Sequence, residues 1–479
     1  MLVTGICRAL SNLGYRVAPF KGQNMALNSF VTKDGGEIGR AQASQAMAAR
    51  VEPEIAMNPV LLKPTSISSS SVVVMGQHSH ELSALDYQRR KAELAPVVDA
   101  AFVDLSSRYD AVICEGAGSP AEINLLENDL VNLGFASRVG VNALVVGDID
   151  RGGVFASLYG TKMILPPELS GRIKAFVINK FRGDAQLLAP GIEKLVELTS
   201  TPMLGVIPHR SGLDNDSEDS LALAELFSAR RTHSRDALRV AIVPLAYISN
   251  FTDFEPLVFE DDLEVFLLEK PSQIRGSDLV VIPGTKATVS DLENLRDRGY
   301  DTAIASHIAM GKGVMGICGG YQIMSSEIQD DIESNSGTVH GLGYIPTETR
   351  FEAPKVLTQM RGDVAIGTHH GSFEGYQIHF GRVVQVPGKA LLTNVSSGGS
   401  AMGSEEGYFD QNIVGTSVHG IFDNDSARQV IMSHFASLVG KQFRSQLRFL
   451  DAREKYFDSC AQLVTTHIGL EPILRMLEL

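Results

Sequence analysis

The chain has 479 residues, of which 44% are apolar and 20% charged, and its formal net charge is −14. This length allows about two to three domains, and this composition excludes wholesale disorder. The acidic balance argues against nucleic acid as an obligate partner, because phosphates are neutralised by basic surfaces. It does not exclude a polyanionic small molecule, which needs only a local cationic pocket.

The cysteine pattern indicates the cellular compartment of the protein. Four cysteines are scattered without a C-x-x-C pair, namely Cys7, Cys114, Cys318 and Cys460. This spacing predicts neither a disulfide framework nor a zinc site and favours a reducing compartment. No signal peptide is recognised, and no run approaches the roughly 18 apolar residues of a membrane span. We therefore expect a cytoplasmic protein with no membrane partner.

The first predicted element is a helix over residues 2–14. Short apolar runs follow, separated by helical stretches, and we predict that they are buried parallel strands at 16–20, 72–75, 111–114, 143–146 and 175–178. Continuous apolar strands that alternate with helices predict a doubly wound α/β sheet. Ligands bind such sheets at the carboxyl ends of the strands.

Polar residues stand at the carboxyl ends of four of these predicted strands: Lys21, Glu115, Asp148 and Asn179. A carboxylate beside a glycine-rich turn, as at Glu115, suits the handling of Mg²⁺ and phosphate. Each cluster alone is equally well explained as a surface turn. Four clusters at four strand ends favour a ligand site over a purely structural role.

A polar, charged connector over about 210–237 separates this block from a second one. The second block begins with a predicted strand at 239–243 and continues through strands at 264–268 and 278–282. After about residue 440 the pattern predicts a helical tail. The predicted parts are therefore 1–230, 238–440 and 441–479.

The most informative segment of the second block is Gly316-Ile317-Cys318-Gly319-Gly320. An apolar strand leads into Cys318, and two glycines and a helical run follow, which predicts the strand–turn–helix geometry of a nucleophile elbow. The helix N-terminus favours the thiolate of Cys318, and the Gly319 amide is predicted to donate to a tetrahedral oxyanion. The turn at Gly284 is the candidate for a second oxyanion donor, although a plain βα turn explains it equally well.

The base of such a nucleophile is expected to be a histidine further along the chain. His419 ends an apolar strand just before a turn, and the alternatives are His369, His370 and His379. The alternating pattern around His379 is typical of a buried structural histidine. A cysteine followed about a hundred residues later by a histidine resembles the order in class I glutamine amidotransferases, which favours His419. Most of those enzymes carry Glu two residues after the histidine, where this chain has Ile421, so no third member is predicted.

Together these segments resemble the cobyric acid synthase family over nearly the whole chain. The matching stretches are 19–29, 57–64 and the segments that begin at Glu115, Asp148 and Asn179. The resemblance implies a first domain similar to dethiobiotin synthetase, with a P-loop-type doubly wound sheet, followed by a class I glutaminase α/β domain. The first domain of that family binds ATP and Mg²⁺ and activates carboxylates as acyl phosphates, and the second supplies ammonia.

The resemblance also implies the substrates and the residue roles. The family amidates the b, d, e and g side chains of adenosylated cobyrinic acid a,c-diamide, so the implied partners are glutamine and a corrinoid, with no prosthetic group. Cys318 and His419 are the implied catalytic pair. By position, Glu115 and Asp148 are assigned to Mg²⁺ and phosphate, Asn179 to the surroundings of the adenine, and Lys21 to anionic groups.

The chain departs from the family at two places. The family begins with a strand and a P-loop of the G-T-x-S-x-A-G-K-S kind, and this chain starts just after the point where that loop ends. We therefore expect the chain as written to lack the first strand and the P-loop and to bind MgATP poorly or not at all, while the glutaminase domain still folds. Gln377 stands where the family commonly has Glu, which is expected to change packing rather than the reaction.

Two other functions stay open from the sequence. Cobyrinate a,c-diamide synthase shares both domain types and makes fewer amides. The stretches 23–28 and 58–64 favour the cobyric acid synthase family over it. The second alternative is a truncated chain that keeps only glutaminase activity or a non-catalytic role, although the presence of Cys318 and His419 argues against a non-catalytic role.

Overall fold

The computed structural model describes residues 1–64, 69–210, 227, 236–397 and 400–479. The connector predicted at about 210–237 lies almost entirely outside these residues, so the boundary predicted there stays a prediction. We refer to residues 1–210 as the first block and to residues 236–440 as the second block. Among the described helices, none is long and apolar enough to cross a membrane.

The first block alternates short strands with helices. Its strands are β1 Val17–Phe20, β2 Gln23–Met25, β3 Ser29–Val31, β4 Glu37–Gly39, β5 Val60–Pro64, β6 Ser69–Val74, β7 Gln77–Ser83, β8 Ala111–Cys114, β9 Ala143–Asp148, β10 Ile173–Phe181 and β11 Met203–Pro208. Its helices are α1 Leu2–Asn12, α2 Arg40–Ala48, α3 Ala84–Arg108, α4 Leu133–Val139, α5 Val154–Ile164, α6 Pro167–Ser170 and α7 Ala189–Thr199.

Four of the five strands predicted in this block are present as parallel strands. In the described residues they form two hydrogen-bonded groups, β1 with β8 and β9 with β10 and β11. The prediction of a parallel strand at 72–75 is wrong. β6 runs antiparallel to β5 and β7. Its pairing with β7 follows because Met75 and Gly76 both have positive φ and close a two-residue hairpin.

The second block contains the longer strands. Its strands are β12 Leu238–Ile242, β13 Leu263–Leu267, β14 Leu279–Ile282, β15 Gly313–Ile317, β16 Ser325–Asp330, β17 Gly337–His340, β18 Ile345–Ile366, β19 His369–Val383, β20 Leu392–Ser397, β21 Ser400–Glu406, β22 Tyr408–Asp410 and β23 Ile413–Thr416. Its helices, with the two that follow it, are α8 Glu255–Val258, α9 Thr288–Asp297, α10 Tyr300–Ala309, α11 Gly319–Ile323, α12 Asp425–Leu438, α13 Phe449–His467 and α14 Glu471–Leu477.

The central sheet of the second block has the order β13-β12-β14-β15-β23-β22, and all of its pairs are parallel except the one made by the edge strand β22. Gly284 follows β14, Cys318 follows β15 and His419 follows β23. Because the carboxyl ends of parallel strands meet at one edge of the sheet, the three residues converge there. A second sheet, built on the long hairpin of β18 and β19, contacts this edge through the pairing of Tyr376 with His419 and is not predicted by the sequence.

The tail after residue 440 is helical, as the pattern predicts, but it returns to the first block. The Arg8 guanidinium of α1 lies 2.6 Å from Glu454 and 2.8 Å from Asp458 of α13. Apolar residues Cys7 of α1 and Val464 of α13 belong to the same buried cluster. The first block therefore completes its core with helices from the other end of the sequence.

Candidate active site

Cys318 lies on a sharp turn between β15 and α11, with φ of 49° and ψ of −109°. This is a sparsely populated backbone conformation for a residue other than glycine, and such strain clusters at functional sites. The Cys318 amide donates to the Thr416 carbonyl at 2.8 Å, which holds the turn against β23. A Cβ atom at Gly320 would lie 2.0 Å from the Ile282 carbonyl oxygen, so the turn requires glycine there. The strand–turn–helix geometry predicted around Cys318 is present.

His419 is fully buried beside an acidic partner. Its Nδ1 atom lies 2.7 Å from Oδ2 of Asp253, and the other carboxylate oxygen of Asp253 accepts the Gly420 N–H at 2.9 Å. In the described part of the chain, His419 Nε2 is buried without a hydrogen-bond partner. The carboxylate therefore fixes one ring nitrogen and the ring plane, while the other nitrogen is left for reacting groups.

The charges around His419 set its protonation. Burial alone lowers the pKa of His419, but the Asp253 carboxylate and the Cys318 thiolate outweigh burial and raise the pKa to about 10. The pKa of His419 rises because both neighbours stabilise the cationic ring. The site therefore favours the cationic imidazole, which can stand as the counterion of a thiolate.

Asp253 is the residue that the sequence reasoning missed. It belongs to a short 3₁₀ turn, Phe251–Phe254, that follows the carboxyl end of β12. The family pattern points to the position two residues after His419, where Ile421 is buried and apolar. The available signal was a carboxylate in the segment that follows a predicted strand of the second block.

The two glycines predicted to supply oxyanion donors flank Cys318 and His419. A Cβ atom at Gly284 would lie 3.0 Å from His419 Cε1, and one at Gly319 would lie 2.8 Å from the Thr285 amide nitrogen. The Gly284 turn is held by its carbonyl, which accepts the Ser249 N–H at 2.9 Å. The Asp291 carboxylate accepts the Thr285 hydroxyl in the same turn. The structure brings both glycines to the site, and their role as donors stays a prediction.

The alternative histidines lie elsewhere or lack the acidic partner. His369 and His370 begin β19 and are exposed. His379 is buried and lines the cavity at Cys318, and burial, with the nearby His419, lowers its pKa to about 3. Both of its ring nitrogens are without a hydrogen-bond partner among the described residues. His379 is therefore a neutral ring of the cavity wall rather than the partner of Cys318.

A small, partly enclosed cavity opens at Cys318 and is lined by charged residues from both blocks. Lys286 and Glu333 form an ion pair in its wall. Lys355 from β18 and Lys63 from the first block also line it. Burial lowers the pKa of Lys355 to about 8. The cavity therefore offers both signs of charge next to the sulfur.

Glu37 joins the two blocks behind this cavity. Its fully buried carboxylate lies 2.8 Å from Lys63 Nζ and 2.6 Å from Lys355 Nζ, and it accepts the Ser29 hydroxyl at 2.9 Å. Burial alone raises the pKa of Glu37, but the charges of Lys355 and Lys63 outweigh it and hold the pKa well below its ordinary value. Two lysines from different blocks thus share one carboxylate.

The residues predicted to bind nucleotide fall into two pairs. Lys21 Nζ lies 3.0 Å from the Glu115 carboxylate, which also accepts Gln45 Nε2 at 2.5 Å. Burial alone raises the pKa of Glu115, but Lys21 outweighs burial, and the net shift is downward. Lys21 and Glu115 follow the paired strands β1 and β8, so the strand-end position predicted for both is correct.

The second pair follows the neighbouring strands β9 and β10. Asp148 stands opposite Asn179 in the register of these strands and lies 3.2 Å from Lys180 Nζ. The Asn179 side-chain oxygen accepts the Lys180 N–H at 2.9 Å. Asp148 and Asn179 are therefore brought together, on a different hydrogen-bonded group of strands from Lys21 and Glu115.

The metal assignment depends on how many protein ligands the ion needs. The described residues hold no group of three or more His, Cys, Asp or Glu that could bind a metal by themselves. Magnesium that binds a nucleotide takes most of its ligands from phosphates and water and needs only one or two carboxylates. The donor type of Glu115 and Asp148 fits such an ion, and their assignment to Mg²⁺ stays a prediction.

Comparison with known families agrees with this organisation. Residues 239–427 match the CobB/CobQ-like glutamine amidotransferase domain, and residues 1–222 match the CobQ/CobB/MinD/ParA nucleotide binding domain. The fold and the site therefore define a two-domain α/β protein in which a nucleotide-binding domain precedes a glutamine amidotransferase domain.

Comparison with individual proteins narrows the class. The chain is 44% identical, over 100% of its length and 93% of the relative, to "Cobyric acid synthase" of Streptomyces avermitilis. It is 47% identical, over 92% of its length and 85% of the relative, to "Cobyric acid synthase" of Rhodococcus jostii. The chain belongs to the cobyric acid synthase family, so the resemblance stated from its motifs is confirmed. Among solved structures, a crystal structure of a glutamine amidotransferase is similar at a TM-score of 0.33 and 17% identity, over 42% of this chain and 98% of that one.

Proposed function

We propose that this protein is a glutamine-hydrolysing carbon–nitrogen ligase that amidates the b, d, e and g carboxylates of adenosylcobyrinic acid a,c-diamide to give cobyric acid. The name shared by its full-length relatives supports the reaction. The observation that carries the proposal is the convergence of Cys318, His419 and Asp253 at one sheet edge. The product places the protein in cobalamin biosynthesis.

The first half of glutamine hydrolysis forms a thioester. The Cys318 thiolate attacks the side-chain amide carbon of glutamine, and the negative charge moves to the amide oxygen. Backbone N–H groups at Gly319 and in the Gly284 turn are placed to receive that oxygen. His419 then gives its proton to the departing nitrogen, the carbon–nitrogen bond breaks, and ammonia leaves.

The second half restores the enzyme. His419, now neutral at Nε2, takes a proton from water as the water oxygen attacks the thioester carbon. The carbon–sulfur bond breaks, glutamate leaves, and Cys318 returns as a thiolate beside the imidazolium. Asp253 holds the ring in one orientation throughout and stabilises its cationic form.

The charged lining of the cavity fits the amino-acid end of glutamine. A free amino acid carries one ammonium and one carboxylate, and the wall of the cavity offers the Glu333 carboxylate and the Lys286 ammonium side by side. The small volume at Cys318 favours the slim side-chain amide over larger groups. We assign Lys286 and Glu333 to glutamine recognition on this ground.

The first block would bind the nucleotide and the corrinoid. Lys21 and Asn179, with the carboxylates of Glu115 and Asp148, stand at strand ends where a charged ligand binds. ATP and Mg²⁺ would there activate a substrate carboxylate toward ammonia. This role rests on the nucleotide-binding family match of residues 1–222 and on the polar strand ends.

The domain bounds and the cellular location are also proposed. We place the synthetase domain at 1–230, the glutaminase domain at 238–440 and the helical tail at 441–479, supported by the two blocks of parallel strands on either side of the connector. We place the protein in the cytoplasm, supported by cysteines that are all free, as a reducing compartment keeps them.

Product mass tests the proposal. The full chain is incubated with glutamine, MgATP and adenosylcobyrinic acid a,c-diamide, and the corrinoid is analysed by mass spectrometry. At saturating MgATP, conversion of four further carboxylates to amides is the expected result. A corrinoid that keeps the mass of the diamide, while glutamate is released, contradicts the ligase assignment and leaves only a glutaminase.

A further inference from the structure

The backbone of Ser29, in the first block, contacts two residues of the second block. The Ser29 N–H donates to Oδ1 of Asn250 at 2.7 Å, and the Ser29 carbonyl accepts the Tyr376 hydroxyl at 2.8 Å. Ser29, Asn250 and Tyr376 are all buried. One peptide segment of the first block is thus held from two sides in a water-excluded interface.

Asn28 makes the reciprocal hydrogen bond to the second block. Its Oδ1 atom accepts the Phe251 N–H at 3.0 Å, so the two asparagines each cap a backbone N–H of the opposite block. Both side chains are almost wholly buried, at 2% and 1% exposure. We call this pair, Asn28 and Asn250, the asparagine clasp.

The asparagine clasp is joined directly to the acidic partner of His419. Asn250 and Phe251 lead into the 3₁₀ turn that carries Asp253, and the Asp253 N–H donates to the Asn250 carbonyl at 3.0 Å. Asn250 has φ of 54°, a left-handed conformation that asparagine tolerates better than most residues. The asparagine clasp therefore pins a strained residue at the base of the turn that positions Asp253.

Tyr376 forms the second link to the catalytic ring. Its aromatic ring stacks on the His419 imidazole with centroids 5.6 Å apart and an interplanar angle of 29°. The two residues also exchange backbone hydrogen bonds of 2.9 and 3.1 Å. The Tyr376 ring also contacts Phe30 of the first block, with centroids 5.3 Å apart. The face of the imidazole is thus backed by a ring whose hydroxyl is held by the first block.

We propose that Asn28 and Ser29 of the first block are positioning residues for the glutaminase base, so that glutamine hydrolysis depends on docking of the first block behind His419. The proposal rests on the proposed function, in which His419 serves Cys318. Both supports of the imidazole, the Asp253 turn and the Tyr376 ring, end on the same two residues. A base held from the synthetase side links ammonia release to the presence of the domain that consumes ammonia.

A neighbouring contact offers a matched control. Gln359 Nε2 of β18 donates to the Val31 carbonyl of β3 at 2.9 Å, which is also a hydrogen bond between the blocks. In the described residues this contact reaches neither Asp253 nor the His419 ring. Gln359 lies opposite Tyr376 in the register of β18 and β19, and Gln359→Ala keeps this backbone pairing while it removes the side-chain hydrogen bond between the blocks. The variant therefore separates positioning of the base from plain stability.

The test compares three variants of the full chain: Asn28→Ala, Tyr376→Phe and Gln359→Ala. Steady-state glutamine hydrolysis is measured by glutamate release, and thermal unfolding is followed in parallel. We expect kcat to fall about five- to tenfold in Asn28→Ala and Tyr376→Phe, as for the loss of one buried hydrogen bond that acts on the reacting geometry. KM for glutamine should stay within about twofold, and Gln359→Ala should keep the wild-type kcat.

Two results would overturn the inference: unchanged kcat in Tyr376→Phe, or an equal fall in all three variants. Tyr376→Phe removes one oxygen and keeps the ring. It therefore tests the positioning role even if Asn28→Ala does not fold. Cys318→Ala serves as the reference for the proposed function. If it hydrolyses glutamine at the wild-type rate, the proposed function fails and this inference fails with it. If Cys318→Ala is inactive and Tyr376→Phe is not impaired, this inference fails alone.

Discussion

The candidate glutaminase site and the candidate nucleotide site are built in different ways. Cys318, His419 and Asp253 are buried and fixed to one another across three strand ends of a single sheet. Lys21 and Glu115 lie on one pair of strands, whereas Asp148 and Asn179 lie on another, and Asp148 is partly exposed. Acyl transfer needs its geometry before the substrate arrives, whereas a site for a large anion can leave charges for the ligand to complete.

Substitution of Cys318 by alanine should abolish the function of one site and leave the other. We expect glutamate release to fall by about four orders of magnitude or more, because the covalent route is lost. Cys114→Ala, at the end of β8 in the first block, is the control and should keep the wild-type rate. Glutamate release at an unaltered rate in Cys318→Ala would refute the assignment of the nucleophile.

Asp253→Asn should show how much of the glutaminase site depends on one buried charge. We expect kcat to fall by about two to four orders of magnitude, as when a triad aspartate loses its charge. The raised pKa of His419 should also drop, because the carboxylate is a main cause of the upward shift. In a pH–rate profile, the loss of activity on the alkaline side should therefore begin at lower pH than in the wild type. A profile that keeps its alkaline limit contradicts the pairing.

Glu37→Gln should affect the stability of the protein, because Glu37 joins the two blocks through Lys63 and Lys355. Removal of one charge from a buried cluster leaves Lys63 and Lys355 uncompensated, and we expect a loss of about 3–5 kcal/mol in a urea titration. Glu197→Gln, which breaks an exposed ion pair on α7, is the control and should leave the midpoint unchanged.

The same carboxylate predicts a dependence on pH. Because the pKa of Glu37 is depressed in the folded state, its contribution to stability is present above its ordinary value of 4.5 and is lost as the pH falls below it. The Glu37→Gln variant should therefore lose less stability than the wild type between neutral and acidic pH. Parallel curves for the two proteins would count against the cluster.

Asp148→Asn should have the smallest effect on the folded protein. Its ion pair with Lys180 is partly exposed, so the change in stability should stay below about 1 kcal/mol. Glutamine hydrolysis should keep its wild-type rate, while ATP-dependent amidation of the corrinoid should fall. An equal loss of both activities would mean that the two sites are not separable in this way.

The sequence predicted the parts of the molecule that depend on local pattern. The strand that leads into Cys318, the glycines that follow it and the strand ends that carry Lys21 and Asp148 are all written in neighbouring residues. The hairpin of β18 and β19 escaped prediction because its long strands do not present short buried runs. The orientation of β6 was mispredicted because Met75-Gly76 was not recognised as a hairpin turn.

Asp253 could not be predicted from local pattern for a different reason. Its partner His419 is 166 residues away, and the contact exists only because β12 and β23 lie in the same sheet. The packing of α13 on α1 could not be predicted from local pattern for the same reason. Pairings of this kind depend on the order of strands and helices in space, which periodicity does not encode.

The packing of α13 on α1 has a consequence for biosynthesis of the protein. Glu454 follows Arg8 by 446 residues, and chain growth at about 5–20 residues per second separates them by roughly 20 to 90 seconds. During that interval the face of α1 that packs on α13 is translated but uncovered. A nascent chain of this protein is therefore expected to need shielding of that face of α1 until α13 has been added, and to engage holding chaperones there.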